Sequence, residues 1–506
     1  MNERPCGYGI CMILICCDTI IGGEAFRMKG NMNKKRAVSV GIFFLFMIIT
    51  YGVTSYSSTL THSTECGDLD SYCYRYMGML MAKGGIPYLD GFDNKGPLLY
   101  LLNCIGYLIS RKFGVYIIEY IFMMLYLAVQ YAIARRFSDA KRSLIYIVAA
   151  LGPIGAFFLG NMTEEYALLF ISIGILVFID YFLFNKTEWY RIFICGISCG
   201  AVLMIRPNMI AVWAVFCLYA VFVNIRQKKS FPLKTFMLFI SGVLVAVIPF
   251  LVWLGFNGAI EEFWKDYIVT NIYYSSEHNT IGNIFGSFIS YMLESLTEIY
   301  LLLLLFLLIK KQNTGFNVAY IIYMVANILI ISLSGKGFEH YGMVTLPTLV
   351  YPLAASSDLV KKQIKSRSYL FDVFALLSSV LLIGFMINNY LTTIPALISP
   401  NTDESRNERI LSVIDDIEPD EKILVLGYKD YYYVESDRIA SSKFHFFVSM
   451  NANYPGGLKA VTEDINNSSP KLVIIVEGFD HQYLDFDFND YTLIDEDLNI
   501  WMRNDE

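Results

Sequence analysis

Acids, tyrosines and a lysine crowd into residues 67–100, GDLDSYCYRYMGMLMAKGGIPYLDGFDNKGPLLY, directly after an apolar stretch long enough to enter a membrane. Asp68 and Asp70 open this segment, Tyr74 follows Asp70 by four residues, and Asp90, Asp93 and Lys95 sit in the turn-rich piece PYLDGFDNKGP. On a helix Asp70, Tyr74, Met77 and Met81 share one face, which sets a carboxylate at the end of an apolar stripe. Such a carboxylate can take a proton from a hydroxyl nucleophile, or it can do no more than cap a helix N-terminus. The Pro, Gly, Asn and Asp residues that follow favour turns, so the chain can fold back and bring Lys95 toward Asp70.

Three more polar segments interrupt apolar sequence. NMTEEY places Glu164 and Glu165 after Thr163, where acids also favour a helix start. LMIRPN puts Arg206 just before a helix-breaking Pro-Asn pair; its guanidinium suits bidentate phosphate binding, or can snorkel to headgroups. GKGFEHY supplies Lys336, His340 and Tyr341, with Lys336 the better phosphate contact and His340 open to a purely interfacial role. Ionisable groups at membrane depth or edge default to function, yet so many cannot all be catalytic.

The elements that must hold these residues are membrane helices. The chain has 506 residues, 55% of them hydrophobic, with a mean hydropathy of +0.48 and repeated apolar runs of about 20 residues. Basic residues are retained in short cytoplasmic loops. With Lys34, Lys35 and Arg36 inside, a span over 38–56 leads outward, and a span over 115–134 returns to Arg135, Arg136, Lys141 and Arg142. The apolar piece 97–110 is too short to cross and reads as an interfacial helix, although Arg111 and Lys112 behind it break the charge pattern. The alternation continues past Arg206, past Arg226, Lys228 and Lys229, past Lys310 and Lys311, and past Lys361, Lys362, Lys365 and Arg367, giving about 11 spans. The four polar segments then share the outer face. Residues 260–272 carry apolar side chains at helical spacing with Glu261, Glu262, Lys265 and Asp266 opposite, the pattern of a helix lying on the outer membrane surface.

Residues 1–31 read as an over-extended start ahead of Met32, or as a short extra hydrophobic segment. Residues 32–400 form the membrane domain, with an outer loop at 57–114. Residues 401–506 hold 23 acids against 9 bases and read as an acidic extracytoplasmic α/β domain. Its elements are a helix over 407–416, strands KILVLG and KLVIIVEG, a helix over 458–466 and a closing strand pair over 491–502. Neither strand leads into a glycine-rich phosphate loop. The ten cysteines fall mostly in apolar runs without metal-type spacing, and only Cys66 and Cys73 are placed to pair. The five histidines are scattered with no HExxH spacing, while Asp68, Asp70, Asp90 and Asp93 together could assemble a hard-cation site. The chain has no basic stripe outside the short inner loops, which argues against nucleic-acid partners.

An Asp at the mouth of the first outer loop, Tyr four residues on, then G-x-PY-x-D and FD-N-KGPLLY, resembles the first-loop motif of the glycosyltransferase C (GT-C) superfamily. The likeness is to the bacterial branch related to aminoarabinose transferases, protein O-mannosyltransferases and rhizobial-type lipopolysaccharide-core transferases, over about residues 32–400. Ser71 stands where the first two groups carry Glu, which favours the rhizobial type and leaves the acceptor open. The resemblance implies a polytopic α-helical GT-C-like fold in the plasma (inner) membrane, while the basic loops set the N-terminus as cytoplasmic and the C-terminal domain as extracytoplasmic. It implies a sugar moved with inversion from a polyprenyl-phosphate donor to an envelope glycan, glycolipid or protein. Asp70 matches the catalytic acid and Lys95 the lysine near the carrier phosphate; Arg206, Lys336 and His340 would share that phosphate, and Asp68, Tyr74, Asp90, Asp93, Glu164, Glu165 and Tyr341 would contact substrate. No cofactor is required by the likeness. A transporter or flippase of lipid-linked saccharides is the alternative, though transporters concentrate acids and broken helices at mid-span. A non-catalytic envelope scaffold is a third reading.

Overall fold

Backbone amides in lipid must bond within their own segment, so the apolar stretches of this chain fold as helices. The computed structural model describes residues 32–227, 232–276, 279–363, 369–398, 402–446, 457–476, 479 and 486–504; the reading of residues 1–31 falls outside them. A helix or helix pair stands at each of the eleven expected crossings, from Met32–Thr54 and Gly114–Arg135 to Tyr369–Ile398. Among the described residues, six of them can cross a membrane unaided by length and apolarity, and seven if Ile281–Glu294 and Thr297–Ile309, bent by 75°, count as one. Others, such as Trp189–Leu203 and Ala211–Arg226, are short of the roughly 20 residues a full crossing takes. Pro97–Ile109 is a separate 13-residue helix, as its length implies.

The C-terminal unit holds the expected small sheet. Strands β1 (Ile423–Leu426) and β2 (Leu472–Ile475) pair in parallel; β4 (Ile500–Arg503) runs antiparallel to β2, and β3 (Tyr491–Asp495) closes the edge. β1 and β2 are buried on both faces, which is why they read as unbroken ILVL and LVII runs. This unit does not stand apart. Its strands and the loop helices Asp70–Ala82 and Pro97–Ile109 share one hydrophobic core, with Tyr72, Tyr76 and Phe92 packed against Tyr431, Tyr433 and Phe444.

Acids of the tail find bases of the loop at the seam. Glu435 meets His62 at 3.0 Å and Arg75 at 3.1 Å, and Asp437 meets Lys83 at 3.1 Å and Arg111 at 2.5 Å. Arg111, which broke the charge pattern of the spans, therefore has an acidic partner in the tail. Cys66 and Cys73 are both buried free thiols.

The surface helix expected at 260–272 needs correction. Phe263 and Tyr267 are buried, and Phe263 packs on Tyr88, but Ile260, Trp264 and Ile272 stay exposed and Asp266 is fully buried 3.0 Å from Lys443 of the tail. A π-helical turn spans Trp264–Val269, yet Asp266 stays on the polar face with Glu262, since both meet Lys443; what differs is that the tail, not water, covers that face.

Candidate active site

At the start of helix Asp70–Ala82 the Asp68 Oδ1 accepts the Asp70 N–H at 2.8 Å, so Asp68 satisfies that first amide and the Asp70 carboxylate is left to face inward. Tyr74, one turn on, donates its hydroxyl to Asp70 Oδ2 at 3.1 Å. The Tyr428 hydroxyl donates to the other oxygen, Asp70 Oδ1, from just beyond the end of β1.

The segment Asp93–Pro97 is docked rather than loose. Buried Asp93 accepts the Tyr100 hydroxyl at 2.8 Å and the Asn94 N–H at 2.7 Å. Gly96 N–H bonds the Ile205 carbonyl at 2.9 Å and Leu98 N–H the Met204 carbonyl at 3.0 Å. A Cβ on Gly96 would lie 2.1 Å from the Met204 oxygen, so only glycine permits this backbone approach. Pro97 then opens the next helix at a position that needs no N–H. The local consequence is that Lys95 is brought to the segment carrying Arg206. Lys95 Nζ donates to Asn94 Oδ1 at 2.5 Å, lies 3.8 Å from Asp93 Oδ1 and stands 5.6 Å from the Tyr74 ring centre.

Arg206 leaves its helix in extended conformation, and Pro207 follows at once. Its Nη1 donates to Glu164 Oε1 at 2.6 Å, and its guanidinium lies 4.1 Å from the centre of the Tyr341 ring. These groups enclose a cavity of about 320 Å³ lined by Asp68, Asp70, Cys73, Tyr74, Asp93, Asn94, Lys95, Arg206, Tyr274, Phe338, His340, Tyr341, Tyr428 and Phe446. Arg206, Tyr274 and Tyr341 also border a second, mainly apolar hollow of about 390 Å³ that includes Ile268, Ile272, Ile330, Ile331 and Leu333. A polar chamber thus adjoins an apolar groove through one arginine and two tyrosines.

The structure gathers most of the residues singled out in the sequence and leaves some outside. Glu164 reaches the cavity through Arg206. Glu165 turns into the core, where its Oε2 accepts the Asn161 N–H at 2.9 Å. Asp90 is exposed and closes a turn by accepting the Ile86 N–H at 2.6 Å, so the four aspartates do not assemble one cation site. Lys336 does not line the cavity wall but caps Tyr274, with Nζ 3.1 Å from the ring centre. Tyr428 and Phe446, supplied by the tail, escape a sequence reading; Gly427–Tyr428 at the C-terminal end of a parallel strand, where α/β sheets present ligands, is the one signal that could have found Tyr428. Asn94 was visible inside the DNKG turn.

Charge in the cavity separates two neighbouring carboxylates. Burial and the adjacent Asp70 push the Asp68 carboxyl above the ordinary carboxylate range. Burial would raise Asp70 as well, but Lys95, His340 and the hydroxyls of Tyr428 and Tyr74 outweigh it and hold Asp70 below that range. For Lys95 burial pulls downward, and Asp93 and Asp70 more than restore it. The chamber therefore carries an ionised carboxylate accepting two phenolic hydrogens, facing fixed cations. That arrangement can accept a proton on one side and stabilise an anion on the other.

The family model for dolichyl-phosphate-mannose-protein mannosyltransferases matches residues 94–253, a span that opens beside Lys95 and includes Glu164 and Arg206. Among solved structures, ArnT from Cupriavidus metallidurans bound to undecaprenyl phosphate aligns over 92% of this chain and 97% of that one, with a TM-score of 0.63 and 11% identity. The apo state of ArnT from the same organism aligns over 87% and 93%, with a TM-score of 0.59 and 12% identity. No curated protein matches the sequence. The chain has the GT-C fold, a multi-pass helical membrane domain with a small C-terminal sheet unit.

Proposed function

We propose that this protein is a membrane-embedded inverting glycosyltransferase that moves a sugar from a polyprenyl-phosphate donor to a hydroxyl-bearing envelope acceptor on the extracytoplasmic face. The observation that carries this reading is the shared chamber: Asp70, Lys95 and Arg206 line one cavity, which continues into an apolar groove. A polyprenyl tail suits the groove, and its phosphate suits the arginine and lysine at the junction. The match to mannosyltransferases and the fold of an ArnT whose structure holds undecaprenyl phosphate agree with such a donor.

In the proposed reaction Asp70 takes the proton of the acceptor hydroxyl as its oxygen attacks the anomeric carbon from the side away from phosphate. The bond from that carbon to the phosphate oxygen breaks, and phosphate leaves with the electron pair. Lys95, Arg206 and His340 stabilise the growing charge, with Lys336 acting behind Tyr274; one such donor is typically worth about 10²- to 10³-fold in rate. Tyr428 and Phe446 form the acceptor-side wall, so the C-terminal unit takes part in acceptor choice. The sidedness rests on charge. Asp180, Arg136 and Arg191 cluster at the far end of helix Thr163–Phe184, about 24 Å along the axis from Glu164, and the basic loops there suit the cytoplasmic side.

Purified protein incubated with a panel of polyprenyl-phosphate sugars and envelope extracts should release polyprenyl phosphate and transfer label. A flippase would translocate the lipid-linked saccharide and release none.

A further inference from the structure

Beneath the cavity wall, where helix Asp70–Ala82 meets the C-terminal unit, Cys73, Asp430 and His445 converge. One ligand-type atom from each lies within 4.8 Å of the other two, and all three side chains are buried. The histidine decides what the cluster needs. Its Nε2 is 3.0 Å from the Phe92 carbonyl oxygen, which can only accept, so Nε2 carries the hydrogen. In the neutral ring Nδ1 then turns a lone pair toward Asp430 Oδ1, 3.0 Å away, and the carboxylate turns lone pairs back. Two acceptors at that distance need a positive centre between them, either a proton or a metal ion.

A proton would satisfy only that one contact. Asp430 Oδ2 has no hydrogen-bond partner although the residue is 2% exposed. The Cys73 thiol is placed to donate to the same carboxylate, but an S–H is a weak donor and leaves a buried carboxylate under-satisfied. One imidazole nitrogen, one carboxylate and one sulfur make a donor set suited to a tetrahedral, borderline-soft divalent ion. A ring N–H held by a backbone carbonyl is the outer bond by which metal-bound histidines are oriented. The Tyr76 ring, 4.2 Å from the His445 ring, packs against the imidazole.

We propose that Cys73, Asp430 and His445 bind one zinc-class divalent ion that clamps the C-terminal unit onto the loop helix. Cys73 also lines the cavity, so water can fill the fourth position. The clamp joins the helix that presents Asp70 to the unit that presents Tyr428, and it stands independently of the transferase reading. Its ligands are scattered along the chain, which is why no ligand spacing marks them.

The full-length protein, purified in detergent without chelator, is expected to retain about one zinc-class ion per chain by elemental analysis. Chelation should lower its melting temperature, and added zinc should restore it, because the ion binds only the folded state. Cobalt loaded after chelation should give tetrahedral ligand-field bands and a thiolate-to-cobalt charge-transfer band. Cys73→Ser, nearly isosteric, should lose the charge-transfer band, and Asp430→Asn or His445→Ala should lose the metal. A substoichiometric parent that takes up no zinc or cobalt overturns the proposal and leaves a proton between Asp430 and His445. Equal metal content in the parent and in Cys73→Ser/Asp430→Asn overturns it too, and the melting test on the parent stands even if His445→Ala fails to fold.

Discussion

Replacing Asp70 by Asn removes one negative charge while keeping the shape of the side chain. The amide oxygen can still accept from one of the two phenols, Tyr74 or Tyr428, but the amide nitrogen is a donor and leaves the other hydroxyl without an acceptor. That mismatch costs about 1–3 kcal/mol of folding stability, a fraction of what a typical domain holds, so the variant should purify folded. The catalytic loss is larger. A positioned general base is worth about 10²- to 10⁴-fold, or roughly 2.7–5.4 kcal/mol of barrier. Donor affinity should not fall with it: Lys95 keeps Asp93 at 3.8 Å, and a phosphate entering the chamber meets one carboxylate fewer. The assay is initial-rate release of polyprenyl phosphate at saturating donor, paired with a donor-binding titration. A kcat within tenfold of the parent would refute Asp70 as the base. Equal losses of kcat and donor binding would instead make Asp70 a structural anchor.

Other residues of the chamber and its seam make separable predictions. Lys95→Ala should weaken donor binding by roughly 10- to 100-fold, the worth of one charge-assisted contact, and an unchanged donor Kd would assign the phosphate to another cation. Tyr428→Phe removes one of the hydrogen bonds that hold Asp70 below the ordinary carboxylate range, so the acid limb of the kcat/KM profile should move to higher pH; an unmoved limb would show that Lys95 and His340 suffice. Glu164→Ala strands the Arg206 guanidinium in a largely buried site and should cost about 3–5 kcal/mol, read as a loss of melting temperature that the double variant with Arg206→Ala partly recovers. Asp266 is raised to about 7, by burial first and with Lys443 pulling only partly back. Its carboxyl ionises in the unfolded chain at about 4 but stays protonated in the fold up to about 7, so stability falls as pH rises through that window. Asp266→Asn should therefore raise the melting temperature at pH 8 and change little at pH 4, and a loss at both would show that Lys443 requires the carboxylate.

How much of this was legible follows from how far apart the cooperating residues lie in the chain. The turn DNKGP announces its own geometry: Pro97 starts a helix, Gly96 allows a backbone contact, and Lys95 is carried with them. The Arg-Pro-Asn break and the His340–Tyr341 pair were visible as polar interruptions of apolar helices. Asp90 and Glu165 carried the same kind of signal, yet one closes a local turn and the other faces the core, because type and spacing do not say which way a side chain points. The polar face of the helix at 260–272 was legible, but not that Lys443 of the tail covers it, because that contact joins segments far apart in the chain.

Lipid acts on each segment alone, so the amino-acid sequence by itself determined that this chain is a polytopic helical protein with a small α/β unit at its end. Turn chemistry, equally local, marked the loop where the acids and the lysine gather. Only the tertiary structure decided that the tail closes over that loop, sets the Tyr428 hydroxyl on Asp70, pairs Lys443 with Asp266 and brings His445 to Cys73. Those contacts join residues far apart in the chain, and in them a phenol, a lysine and a histidine of the tail meet carboxylates and a thiol of the membrane-domain loops, a match that exists only once both have folded.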